Sequence, residues 1–188
     1  MKKFFTVRNI LIMGATFFAA LTLLFSLVAS ARVTAYGFHG PNDNFPTTIT
    51  FYNFIWGCDK YFETNVMYGI GTYPLNSAFR SVGPVAFGVV LVVLSAGLAT
   101  VSTLVIKNEK LKKVLILVAA GLMLLGGILH FFVRGAFVEN VARYYGYSIE
   151  TVNSMIVPGS AHYGLPIVGG VISVLGSGAV CTSAFLNK

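Results

Sequence analysis

The distribution of apolar positions divides this chain into four long hydrophobic stretches, residues 10–31, 84–106, 114–133 and 165–186. Each holds 20 or more residues, and none contains Asp, Glu, Lys or Arg. About 20 residues of helix cross a hydrocarbon core of roughly 30 Å. Lipid offers no partner for peptide N–H and C=O groups, so runs of this kind are expected to be helices that satisfy their own backbone. The pattern predicts an all-α membrane protein, a four-transmembrane-helix bundle forming one integral membrane domain over residues 1–188.

Two segments between the stretches are polar enough to lie in water, residues 32–83 and 134–164. The first carries twelve aromatic residues, among them Tyr36, Phe38, Phe51, Tyr52, Phe54, Trp56, Tyr61 and Phe62. That content argues against disorder. Pro41-Asn42-Asp43-Asn44 and Gly69-Ile70-Gly71 read as turns. Residues 47–56 are rich in Thr, Ile, Phe and Tyr, which favours a strand. Two readings stand side by side: a short strand pair, making a small β-sheet over the helix ends, or an irregular aromatic belt at the membrane surface. In the second segment Phe137, Val141, Tyr144 and Tyr145 recur at helical spacing. Gly146 would end that helix. Ser148 would cap another reaching Ile156, stopped by Pro158-Gly159. The first of these helices would extend the third membrane helix.

Charge changes the picture by giving it a direction. Only 10% of the residues are charged, against about a quarter in soluble domains, so a water-facing globular surface is excluded. The net charge is +7. Residues 1–9, 107–113 and 187–188 hold Lys2, Lys3, Arg8, Lys107, Lys110, Lys112, Lys113 and Lys188, with Glu109 as their only acid. Arg32, Lys60, Arg80, Arg134 and Arg143 are spread over the longer segments and balanced by Asp43, Asp59, Glu63, Glu139 and Glu150. Basic excess in short loops marks the cytoplasmic side. The expected placement is the cell membrane, multi-pass, with both termini cytoplasmic and the aromatic segments extracytoplasmic. This distribution offers no basic groove for nucleic acid. A basic start and Ala29-Ser30-Ala31 also resemble a signal peptide with its cleavage site. The first apolar stretch exceeds the usual ~7–15 residues of a signal core, which favours a retained helix.

Within the stretches, small residues form stripes. Gly169, Ser173, Ser177 and Cys181 recur every four residues, as do Ser95, Ala99 and Thr103. Such rows let helices approach closely in lipid, and packing within the bundle is the expected role. Candidate chemistry is sparse. The chain has no nucleotide-binding loop, His-Glu-x-x-His motif or Gly-x-Ser-x-Gly elbow, and no cofactor or metal is expected. Cys58 and Cys181 fall at different depths and are not expected to pair. His39, His130 and His162 show no metal-site spacing. Gly126, His130 and Arg134 are four apart, on one face of the third helix, and His162 enters the fourth at similar depth. Ionisable residues at membrane depth are costly and often functional. These four form a candidate ligand site, with helix packing and interfacial anchoring as the more ordinary alternative. Tyr52, Phe54 and Trp56 form a candidate partner surface.

Trp56-Gly57-Cys58 in the first outer segment, Arg80 before the second helix, and the order of short N-terminus, long loop, short inner loop and smaller loop together resemble the claudin family. The resemblance implies four membrane helices with extracellular loops as the contact region. Two features depart from it. The loop holds one cysteine where claudins use two in a disulfide, and only two residues follow the last apolar stretch. Three function classes follow. The first is a small tetraspan subunit that meets another membrane protein, or itself, through its outer loops. The second is a transporter or channel component, and the third a membrane enzyme at the outer interface.

Overall fold

The structure is a computed structural model that describes residues 6–37, 44–65, 67, 69–75 and 80–186. It contains the helices α1 (Val7–Val28), α2 (Gly83–Val105), α3 (Glu109–Leu129), α4 (Val133–Tyr145), α5 (Ile149–Met155) and α6 (Gly164–Phe185). It also contains four strands, β1 (Ser30–Ala35), β2 (Thr47–Tyr52), β3 (Lys60–Asn65) and β4 (Gly69–Pro74). Four helical runs are long and apolar enough to cross a membrane: α1, α2, α6 and the run Glu109–Tyr145. That last run has 37 residues, because a 3-10 turn at His130–Phe132 joins α3 to α4. It is thus nearly twice the ~20 residues a membrane span needs.

The strands exceed the sequence expectation. All four form one antiparallel sheet in the order β1-β2-β3-β4. The Gly69-Ile70-Gly71 turn expected from sequence is instead the start of β4. The strand expected over 47–56 stops at Tyr52, where Asn53 takes a left-handed φ of 52°. The first apolar stretch likewise ends as a helix at Val28, and Ser30 and Ala31 open β1. Of the Pro41–Asn44 turn, residues 41–43 lie outside the described residues, as do Lys2, Lys3, Phe38, His39 and Lys188.

The chain forms two compact units. The helical unit comprises Met1–Phe25, Phe87–Phe131 and Pro166–Lys188; the sheet unit comprises Ser26–Ala86 and Phe132–Leu165. In the helical unit, small residues let the backbones touch. A Cβ at Gly126 would lie 2.6 Å from the Gly88 carbonyl oxygen, and one at Gly127 would lie 3.0 Å from that of Gly170. Hydroxyls bridge helices: Ser95 donates to Ala119 O at 2.7 Å and Ser177 to Ala120 O at 2.8 Å. At one end, Arg8 donates to Ser183 O and Leu186 O at the terminus of α6 and pairs with Glu109 at 3.2 Å. A cation there complements the negative end of the α6 dipole.

The sheet unit has its own apolar core. Ile49, Phe51, Phe54 and Ile55 are fully buried with Val82, Val85, Phe137 and Val138. Phe137 meets the Phe51 and Phe54 rings edge-on, at 5.2 and 5.6 Å between centroids. The helical stretch read from 137–145 and the Ser148 cap both appear: Gly146 closes α4 with φ 71°, and the Ser148 hydroxyl accepts from Thr151 N.

Candidate functional site

The strand registers define what the sheet presents. On the outward side, one row runs Arg32, Thr50, Phe62, Thr72 and a second runs Thr34, Thr48, Thr64, Ile70, each crossing all four strands. Ile70 is 71% exposed, Tyr52 54% and Phe62 38%. Side chains alternate across a strand, so the neighbouring residues Ile49, Phe51, Tyr61 and Glu63 point the other way, into or toward the core. Glu63 sits fully buried opposite Ile49 and Gly71, near Tyr61 and Tyr145. Tyr61 stacks on Tyr73 at 5.3 Å, and burial followed by the Glu63 charge pushes its phenol up from 10.

The two edges of the sheet differ. Beside β1, Arg32 exchanges two backbone hydrogen bonds with His162, at 3.1 and 2.8 Å; Val157 N donates to Thr34 O and Tyr36 N to Met155 O. Residues 155–162 therefore cover that edge. At the opposite edge β4 pairs with β3 alone among the described residues. Unpaired N–H and C=O groups along an edge strand are a template for another strand.

The candidate partner surface divides. Tyr52 is on the outward face. Trp56 is 37% exposed, and its Nε1–H donates to Ser26 Oγ at 3.0 Å. Phe54 is no surface residue: it has no exposure, because the turn after Asn53 drives its ring into the core against Phe137. The neighbouring Cys58 is free and buried, and its thiol donates to Lys60 O at 2.7 Å. Burial, the largest cause, pushes that thiol up from 9.0.

The four-residue constellation is distributed between the units. Gly126 and His130 belong to the helical unit; Arg134 and His162 belong to the sheet unit and are exposed. Within its own unit each is placed differently: His130 is buried and Arg134 is exposed. His130 Nδ1–H donates to the Gly126 carbonyl at 2.7 Å, since a carbonyl can only accept. Glycines make room for its imidazole: a Cβ at Gly88 would lie 3.2 Å from Nδ1, and one at Gly170 2.9 Å from the His130 Cβ. Gly169 and Ser173 border the same place. Thr22 Oγ1 bonds Ser173 Oγ at 3.0 Å, and Ser173 donates to Gly169 O. The geometry is that of a packed, hydrogen-bonded histidine. Gly169, Ser173 and Ser177 are all buried, as a packing stripe requires.

One residue with distinctive chemistry escaped the sequence reading. Tyr163, 5% exposed, packs against Phe54 and Phe137, and its hydroxyl has no hydrogen-bond partner among the described residues. Burial pushes its phenol up to about 12, opposed by the Arg134 charge. Adjacency to exposed His162 and to Gly164 gave no sequence signal of burial.

No protein-family model and no curated protein matches the chain. The likeness to claudins therefore rests on layout and on Trp56, Gly57, Cys58 and Arg80. Among the described residues, no group of three or more His, Cys, Asp or Glu could hold a metal.

Proposed function

We propose that this chain is a multi-pass membrane protein of the cell membrane, with cytoplasmic termini, acting as an interaction or assembly subunit. Its sheet unit is the contact region on the extracytoplasmic side. The partner is another membrane protein or a second copy of the chain. The observation that carries this reading is the β4 edge, open among the described residues, with Ile70 the most exposed large apolar residue on the sheet. An extended segment adding to such an edge gains main-chain hydrogen bonds, and the flanking side chains select it. Tyr52 and Phe62 on the outward face are the aromatic type enriched at contact sites.

A photo-crosslinking residue at Ile70, introduced into protein in its native membrane, tests this. The expected result is a discrete protein adduct, at dimer mass or at that of a single partner, that a second substitution, Phe62→Lys, removes. Adducts to lipid alone, or none, would refute the assembly reading. Ile70→Lys should abolish the association while leaving the fold intact, because edge charge blocks strand addition.

A further inference from the structure

The sheet unit also contains a cleft of about 270 Å³ that the assembly reading does not use. It is lined by Arg80, Ser81 and Gly83 at the start of α2 and by Glu139, Asn140 and Arg143 on α4. Asn140 is nine-tenths buried and holds the Arg80 backbone from both sides. Its Oδ1 accepts from Arg80 N at 3.3 Å, and its Nδ2 donates to Arg80 O. The Arg80 peptide is thereby fixed. Its exposed guanidinium makes no hydrogen bond or ion pair among the described residues. Arg143 pairs with Glu139 at 2.8 Å, in a mutually exposed contact that solvent weakens.

We infer that this cleft binds a phosphodiester oxyanion carrying a hydroxylated headgroup, with the Arg80 guanidinium as its principal donor. Two arginines and one glutamate leave one positive charge in excess, which matches the single negative charge of a phosphodiester. A guanidinium presents paired N–H donors to two phosphate oxygens, a geometry lysine cannot reproduce. The Ser81 hydroxyl adds a donor, and the Glu139 carboxylate is an acceptor for a headgroup hydroxyl. The positive end of the α2 dipole has the same sign preference but is not needed for the assignment. Two sources could supply this chemistry: an anionic glycerophospholipid, or a soluble phosphate compound. The lipid source rests on the membrane reading of the four apolar helices; the oxyanion site itself does not.

The test uses the full chain in detergent micelles, with phosphatidylglycerol, phosphatidylcholine and inorganic phosphate as probes. Native mass spectrometry reads retained lipid, and thermal melting reads the effect of phosphate. The variants are Arg80→Gln and Arg80→Lys, with Arg134→Gln as an exposed-arginine control in the same unit. Wild type should retain phosphatidylglycerol over phosphatidylcholine, with Arg80→Gln lowering that retention about tenfold or more, as loss of a charge-assisted hydrogen-bonded pair implies. Arg80→Lys should fall nearly as far, and Arg134→Gln should not. If inorganic phosphate instead raises the melting temperature of wild type but not of Arg80→Gln, and the lipids are not selected, the oxyanion site stands and its source is soluble. Equal behaviour of wild type and Arg80→Gln toward all three probes would overturn the site. So would an equal loss in Arg134→Gln, since that is diffuse charge attraction. Because the Arg80 side chain is exposed and Asn140 binds only its backbone, the unliganded melting temperature of Arg80→Gln should match wild type.

Discussion

At the scale of single residues, Tyr163 and His130 show two ways of burying a polar group. His130 keeps a hydrogen bond to Gly126 O and fits a space left by glycines. Tyr163 buries its hydroxyl without one among the described residues. An unsatisfied buried hydroxyl costs about 1–3 kcal/mol, so Tyr163→Phe should leave the fold equally or more stable near neutral pH. It should also change the response to alkali. The folded phenol titrates at about 12, against 10.0 when unperturbed. A raised folded value means that the phenol leaves stability unchanged below pH 10, and that stability falls as pH climbs toward 12 because the unfolded phenol ionises first. Melting curves between pH 9 and 12 should therefore decline less steeply for Tyr163→Phe than for wild type. An identical decline would mean that Tyr163 is ionised equally in both states.

At the scale of elements, the membrane-length helices are held by contacts only small residues allow. Lipid tails are as apolar as Leu side chains, so helix association depends on close packing and interhelical hydrogen bonds. Gly126 on α3 and Gly88 on α2 place each backbone against the other's carbonyl oxygen. Gly126→Ala would set a methyl 2.6 Å from that oxygen, whereas Gly121→Ala meets nothing within 4 Å. The first should destabilise by about 1–3 kcal/mol through overpacking. The second should be neutral or slightly stabilising, because alanine is the better helix former. Thermal unfolding in detergent compares them directly, and equal melting temperatures would show that the Gly88–Gly126 approach contributes nothing to stability. Among the strands, the alternation of β2 is legible, with Thr47, Ile49 and Phe51 inward. β3 hides its pattern by turning Glu63 and Asn65 inward, and β4, Gly69–Pro74, imitates a turn.

For the whole molecule, the prediction is orientation. The eight basic residues gathered in the short segments 1–9, 107–113 and 187–188 should keep those segments in the cytoplasm. A single cysteine at Asn108 should then resist a membrane-impermeant thiol reagent on intact cells, while one at Thr64, exposed on β3, should react. Both labelling experiments belong in a background where Cys58 and Cys181 are replaced. The reverse pattern would invert the topology and move the sheet unit, with its proposed partner surface, to the cytoplasm. Asn65 would be a poor probe despite its polarity, since its side chain is buried and donates to Thr47 Oγ1 at 2.6 Å.

Composition and periodicity by themselves determined the four apolar helices to within a few residues. A run of some 20 residues without charge has one way to satisfy its backbone in lipid, and that constraint is local. The Gly146 and Ser148 caps were legible for the same reason: a left-handed φ and a side-chain acceptor are properties of a few adjacent residues. Tertiary structure decided the rest. Pairing with β3 makes a strand of the glycine-rich segment 69–74, and the turn after Asn53 buries Phe54 while Tyr52 stays outside. Burial of His130 and exposure of Arg134 were not readable from their even spacing. The cleft around Arg80 exists because Asn140, sixty positions later, holds its backbone. Local sequence carries dihedral preference and hydrophobic period, but which distant groups meet is set by chain crossings that spacing along the chain does not encode.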